Sequence, residues 1–266
     1  MTEPQVGGFN RLPSKAYNEA VPSDNSELRI VFKASSSRLR LQGFPLSTLT
    51  IENYVKTIYQ LCSTKGESPA ATGEIAAALN VSPGTVTSML KTLSQSGMVT
   101  YTPYEGVQLT DSGKALALRV LRRHRLIELF LVKTLRLTWD EVHDEAENME
   151  HAVSDLLVDR IDAYLNYPSV DPHGDPIPQA DGTLPDGSDY CLAQCGKGKS
   201  FRLVRVLDQE PQFLRYLSEI GLPLGAKGEV TDNRVEAGVV TVLVNNQTQS
   251  LGHETAEKLL VTQLDD

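Results

Sequence analysis

The chain has 266 residues, a formal net charge of −9 and a hydrophobic fraction of 40%. That length suits two or three globular cores, no apolar run approaches the roughly 18 residues that span a bilayer, and the acidic balance argues against a protein that simply coats nucleic acid. The first ten residues lack the apolar stretch of a signal peptide, and three cysteines (Cys62, Cys191 and Cys195) give no disulfide framework, so a cytoplasmic protein with no membrane partner is expected. The average charge hides a contrast. Arg119, Arg122, Arg123, Arg125, Lys133 and Arg136 make a basic segment with Glu128 as its only acid, and residues 140–162 are strongly acidic with Arg160 as their only Lys or Arg.

Residues 1–46 are poor in periodicity, broken by Pro4, Pro13, Pro22 and Pro45, and are expected to be a flexible N-terminal extension. From Thr50 the pattern tightens. Tyr54, Val55, Ile58 and Leu61 predict an apolar helical stripe through residues 52–62. A second helix is expected after Thr72 as N-cap, with Ile75, Ala78 and Leu79 turned inward. Ser82-Pro83 starts a third, with a capping serine and a proline at the first helical position, where a missing N–H costs nothing. Val86, Met89, Leu90 and Leu93 form its buried face and Gly97 ends it.

Two short helices joined by a tight turn match a helix-turn-helix unit, and 98–101 and 107–110 around Pro103-Tyr104-Glu105-Gly106 read as the hairpin of a winged helix. The outward face of the third helix carries Thr85, Thr87, Ser88 and Lys91, short hydroxyls and a cation suited to phosphates and base edges.

A long helix is expected over residues 114–135, with His124 and Glu128 one turn apart. A second, opening near Val142, is expected to run to about residue 164. At 3.6 residues per turn His143, Glu147, Glu150 and His151 fall on one stripe, two imidazoles and two carboxylates that suit a divalent metal. Antiparallel packing of these helices would bring His124 and Glu128 near His143. The loop 171–178 cannot be regular structure, and His173 within it is expected to be solvated. Residues 179–190 read as a linker by their Gly and Pro content, and from about residue 192 strand-like runs indicate a small β-rich domain.

Four stretches in order carry a resemblance: Tyr54-Val55-Lys56-Thr57-Ile58-Tyr59; Arg123-His124-Arg125-Leu126-Ile127-Glu128; His143-Asp144-Glu145-Ala146 through Glu150-His151; and Pro172-His173-Gly174-Asp175-Pro176-Ile177-Pro178. Over residues 49–264 the chain resembles the diphtheria toxin repressor family of metal-dependent transcription regulators, in the long form with a C-terminal SH3-like (FeoA-like) domain.

The resemblance implies a mainly α fold with a small all-β domain. Its parts are a winged helix-turn-helix at 47–113, a helical metal-binding and dimerisation domain at 114–178, and an SH3-like β-barrel at 191–266. It implies a homodimer on double-stranded operator DNA, with no small-molecule substrate. A primary metal site would take Glu147, Glu150, His151 and Asn53. An ancillary site would take His124, Glu128 and His143, completed from the C-terminal domain, where Gln212 falls on a ligand position and Gln209 stands where an acid is often found. Asn53 replaces the Met of iron-type members and the Asp of short manganese-type members. Lys56 replaces a Glu ligand of the latter, so their paired-metal site is not expected in that form.

Oxygen and imidazole donors without a thiolate suit Mn²⁺ or Fe²⁺, and Mn²⁺ is the expectation. Lys91, Thr85 and Thr87 would hold phosphates, while Ser82, Pro83 and Ser88 would face base edges. The expected function is a metal-dependent repressor of metal-uptake genes. A winged-helix regulator controlled by a non-metal ligand is one alternative. A metal-dependent enzyme is the other, and the chain lacks paired Glu-x-x-His helices and a His-Glu-x-x-His motif for it.

Overall fold

The computed structural model of the chain describes residues 48–185 and 189–264. The expected N-terminal extension, and part of the expected linker, lie outside the described residues. Among those described, no helix is long and apolar enough to cross a membrane.

Helix α1 (Thr48–Thr64) is longer than its apolar stripe suggests and buries two faces. Tyr54, Ile58 and Cys62 enter a core with Ile75, Val86, Leu90 and Leu93, while Lys56 and Thr57 are buried elsewhere. Helix α2 (Thr72–Ala78) begins one residue earlier than predicted, with Ala71 rather than Thr72 at the N-cap position. The Glu74 carboxylate accepts from the Ala71 N–H at 2.9 Å, supplying the cap that Ala71 cannot. Helix α3 (Pro83–Gln95) opens as its sequence predicts, with Ser82 Oγ accepting from Thr85 N at 3.2 Å. Strands β1 (Val99–Thr102) and β2 (Gly106–Leu109) form an antiparallel hairpin, and Ala70 bridges to Val107 on its other side. Tyr104 stands fully exposed at the hairpin tip.

Thr110 joins the hairpin to the next helix, its hydroxyl donating to Gly97 O at 2.6 Å and capping Gly113 N at 3.2 Å. Helix α4 (Asp111–Phe130) continues into a π-wound turn, Leu131–Leu135, that closes on Arg136 in the left-handed region at φ 64°. The single helix expected after Trp139 is two: α5 (Val142–Glu150) and α6 (Asp155–Tyr164). The break comes where Met149 O accepts from both Ala152 N and Val153 N, and Ser154 Oγ then caps α6 through Leu157 N at 3.3 Å. A serine followed by Asp155 is an N-terminal signal, and it overrides the continuing apolar period. Leu126, Leu129, Val158, Ile161 and Ile177 pack on one side of α4, and Ile127, Leu131, Val142 and Ala146 on another.

The C-terminal residues form a six-stranded antiparallel sheet. Its elements are β3 (Tyr190–Cys191), β4 (Ser200–Val206), β5 (Lys227–Arg234), β6 (Val239–Val244), β7 (Gln247–Gly252) and β8 (Leu259–Gln263), in the order β3-β8-β4-β5-β6-β7. With α7 (Pro211–Glu219) and α8 (His253–Glu257) it encloses Phe201, Leu203, Leu214, Leu217, Val230 and Val242. Breaks in register at Leu203/Arg205 and Val230/Asp232 bend the sheet.

Loop 171–178 fastens this sheet to α4. Val206 N donates to His173 O at 2.9 Å, and Gly174 lies so close that a Cβ would stand 2.0 Å from Val204 O. Gly174 also adopts φ +88°, which side-chain-bearing residues rarely take. Gly174→Ala is therefore expected to lower stability by about 1–3 kcal/mol from backbone strain, with the steric clash in addition. Thermal unfolding beside the wild type checks this, and an unchanged midpoint would remove the loop as a fixed contact.

Candidate metal centre

The centre is built on a polar stripe that α4 turns inward. His124 and Glu128 are almost fully buried, and α5 packs across them. His124 Nδ1 donates to Glu150 Oε2 at 2.7 Å, and its Nε2 lies 3.0 Å from Glu128 Oε1. Burial alone would depress the His124 pKa, but Glu128 and Glu150 outweigh it and hold it up at about 9. For Glu128 burial works upward and His124 downward. The imidazole prevails, leaving that carboxyl well below its ordinary range. His143 completes the group, its Nδ1 3.4 Å from Glu128 Oε1 and its ring 5.0 Å from that of His124. Donor atoms of His124, Glu128 and His143 all lie within 4.8 Å of one another.

Glu147 and Glu150 form a second group with His124, again within 4.8 Å. Lys56 reaches this carboxylate pair from α1. Its ammonium donates to Glu150 at 2.8 and 2.9 Å and also to Glu147. Lys56 therefore stands not apart from the candidate ligands but against two of them, Glu147 and Glu150. His151 is held by a residue that the sequence reading missed: its Nδ1 donates to Glu52 Oε2 at 2.7 Å. That bond leaves the lone pair on Nε2, which is buried, without a hydrogen bond, and 3.1 Å from Glu150 Oε1. Asn53 Oδ1 is likewise buried and unpartnered, and Asn53 lines an open cavity of ≈ 470 Å³ with Lys56, His143 and Glu147.

Buried electron-pair donors without a hydrogen bond, His151 Nε2 and Asn53 Oδ1, are groups that a cation can satisfy. The donors fit a hard divalent ion, with carboxylate and amide oxygens, imidazole nitrogen and no thiolate. Glu52 fixes the orientation of the His151 imidazole, as an outer partner of a metal-binding histidine would.

One expectation needs correction, that for His173; Gln212 is exposed and is not among the residues lining the cavity beside His143. Helix α7 turns Leu214 and Leu217 into the β core, which leaves Gln212 on its exposed outer side. The C-terminal residues that line the cavity beside His143 are Leu207, Asp208, Gln209, Glu210, Pro211 and Lys258, and Gln209 donates to Asp175 Oδ2 at 3.0 Å. His173 is not solvated but fully buried, stacked against Trp139 at a ring separation of 6.3 Å. Loop composition concealed it. The nearest signal was Asp171 two residues earlier, whose carboxylate accepts from the backbone N–H of His173 and Asp175 and folds the loop inward.

On α3, Ser82, Pro83, Thr85, Ser88 and Lys91 are exposed together. Thr87 is half-buried, with its hydroxyl donating to Pro83 O at 2.9 Å. Thr87 and Lys91 share a groove with Tyr101 and Tyr104 of the hairpin.

Comparison with known proteins agrees with this geometry. The iron dependent repressor N-terminal DNA binding domain matches residues 47–107, the iron dependent repressor metal binding and dimerisation domain matches 110–179, and the FeoA domain matches 190–263. The iron-dependent repressor IdeR of Mycobacterium tuberculosis is 32% identical over 225 residues, covering 80% of this chain and 96% of that protein. The diphtheria toxin repressor of Corynebacterium diphtheriae is 29% identical over 226 residues, covering 81% and 97%. Among solved structures, a manganese-dependent transcriptional repressor in complex with manganese superposes with a TM-score of 0.72 at 40% identity, covering 80% of this chain and all of that one. ScaR with bound Zn²⁺ gives 0.69 at 33% identity, covering 80% and 99%. The chain belongs to the iron-dependent, or diphtheria toxin, repressor family, and is a metal-dependent DNA-binding transcriptional repressor with a C-terminal FeoA domain, not an enzyme.

Proposed function

We propose that the chain acts in the cytoplasm as a homodimer that binds operator DNA when its centre holds Mn²⁺, with Fe²⁺ as the alternative ion. Residues 47–113 would read DNA, 114–178 would carry the metal centre and the dimer contact, and 191–266 would be joined to them through 179–190. The observation that carries the reading is the pair of buried, unpartnered donor atoms, Asn53 Oδ1 and His151 Nε2, beside the Glu147 and Glu150 carboxylates. Exposed Leu156, Leu157, Tyr164 and Tyr167, on or just after α6, support a dimer contact.

Glu147, Glu150, His151 and Asn53 would hold the primary ion, and His124, Glu128 and His143 the ancillary one. What the ion supplies there is a divalent charge that accepts oxygen and nitrogen donors from two helices. Asn53 stands on α1, while Glu147, Glu150 and His151 stand on α5 and at its end. Ligands drawn from both helices fix the winged-helix segment against α5. The two α3 helices of a dimer can then meet successive major grooves about 34 Å apart. A bias of about 3 kcal/mol toward that arrangement changes DNA affinity roughly 150-fold. A repressor that binds when metal is plentiful would serve to shut off metal uptake.

Three outcomes are expected. On a duplex selected from a randomised pool with Mn²⁺ present, wild-type binding depends on the metal, and Glu147→Ala/His151→Ala loses that dependence. Binding indifferent to both metal and mutation would falsify the sensor reading. Lys91→Ala weakens binding to all sequences and lowers the slope of log affinity against log salt by about 1, as the loss of one phosphate contact requires. An unchanged slope removes Lys91 from the backbone contacts. Glu52→Gln, which takes the charge from the partner of His151, lowers Mn²⁺ affinity by about 10–100-fold in a calorimetric titration. Equal affinity would mean that Glu52 serves only its neighbour Arg123, 3.7 Å away.

A further inference from the structure

Lys56 of α1 is buried, with 6% of its surface exposed, and its ammonium is committed to two carboxylates of α5. It donates to Glu150 Oε1 and Oε2, at 2.8 and 2.9 Å, and to Glu147 Oε1. That makes three hydrogen bonds, as many as an ammonium has donors. The Glu150 side chain is fully buried, and its Oε2 also accepts from His124 Nδ1 at 2.7 Å. Both Glu150 oxygens are therefore already engaged by proton donors.

These are the carboxylates that the proposed primary ion would take. An ammonium and a divalent ion cannot share them closely. Charges of +1 and +2 repel twice as strongly as two unit charges at the same distance, and burial leaves little water to screen them. The ammonium has somewhere to go. Lys56, with Gln60 and Thr64 further along its own helix, lines the open cavity of ≈ 470 Å³ that also reaches Glu147. Rotation about the bonds of its four-carbon stem can carry the head group into that cavity, where water hydrates it while the stem stays against the helices.

We propose that Lys56 sets the metal concentration to which this centre responds. Its ammonium holds Glu147 and Glu150 in the metal-free chain and gives them up to the divalent ion by swinging into the cavity. The exchange is driven by charge, since a divalent ion offsets both carboxylates where the ammonium offsets one. Lys56 and the ion are then alternative links between α1 and α5. Asn53, three positions before Lys56 and so on the same face of α1, takes over the link when the ion is bound. Helix α1 stays tied to α5 throughout, and what changes is the residue that ties it. The inference rests on the reading of the chain as a divalent-metal regulator.

The test measures Mn²⁺ affinity by calorimetric titration, and thermal unfolding without metal, on the full chain. It compares wild type with Lys56→Met, which keeps the stem, and Lys56→Arg, which keeps the charge. Lys56→Met is expected to bind Mn²⁺ about tenfold or more tightly than wild type, and to unfold at a lower temperature when metal-free. Lys56→Arg is expected to stay near wild type in both. A lysine that only holds the two helices together would instead lower affinity and unfolding temperature together. A second readout needs no variant. Amine-reactive labelling of the wild type, read by peptide mass spectrometry, should spare Lys56 without metal and modify it with Mn²⁺, with the exposed Lys65 and Lys114 as references. Equal or weaker Mn²⁺ binding by folded Lys56→Met, equal tightening in Lys56→Arg, or a Lys56 that stays unreactive in the loaded wild type overturns this inference alone. A wild type that binds no Mn²⁺ overturns the regulator reading with it.

Discussion

The arrangement of the helices depends on charge that α4 carries into the interior. Arg122, His124, Arg125 and Glu128 are all nearly buried on this one helix, and an unpaired ionised group there is untenable. Each finds a partner on α5, α6 or loop 171–178. Arg122 meets Asp162 of α6 at 2.7 Å and Pro178 O at 3.0 Å, His124 meets Glu150 of α5, and Arg125 meets Pro176 O and Asp175 in the loop. Glu128 takes His124 and His143 on one side and His173 on the other. Removing one member of such a buried pair costs about 3–5 kcal/mol, mostly through the charge left behind, so these contacts fix how α5, α6 and the loop lie on α4. The candidate metal ligands and the tertiary structure therefore draw on the same side chains.

The C-terminal sheet is attached through the same region. Trp139 stacks on His173 and donates from Nε1 to Ser218 Oγ of α7 at 3.0 Å, and Arg215 of α7 donates to Asp140 at 3.0 Å. Arg205 of β4 and Gln209 both hold Asp175. The short stretch around Trp139 and the loop 171–178 thus join the metal-bearing helices to the β core by polar contacts of fixed direction.

Local signals in the sequence served well wherever local chemistry decides structure. Ser82-Pro83 and Gly97 bound α3, and the period of Val86, Met89, Leu90 and Leu93 fixes its buried face. The His124, Glu128 and His143 group was legible from helical spacing plus antiparallel packing. What escaped was set by partners distant in sequence. Glu52 and Lys56, four apart on α1, each turn to a residue more than ninety positions away. His173 sits among Pro, Gly and Asp, a composition that signals exposure, and Trp139, Glu128 and β4, all distant in sequence, surround it. The end of α5 is hidden because the apolar positions stay in phase across the break, where Ser154 caps α6.

Lys56 changes what it means for this centre to be without metal. Two adjacent carboxylates, one of them fully buried, are normally a liability in a metal-free protein, and small metal-dependent folds often unfold when the ion is withdrawn. Here the counter-charge is covalently attached, so it stays beside Glu147 and Glu150 at an effective concentration that dilution cannot lower. The folded chain therefore carries its own balance for these two charges, reaching from α1 to α5.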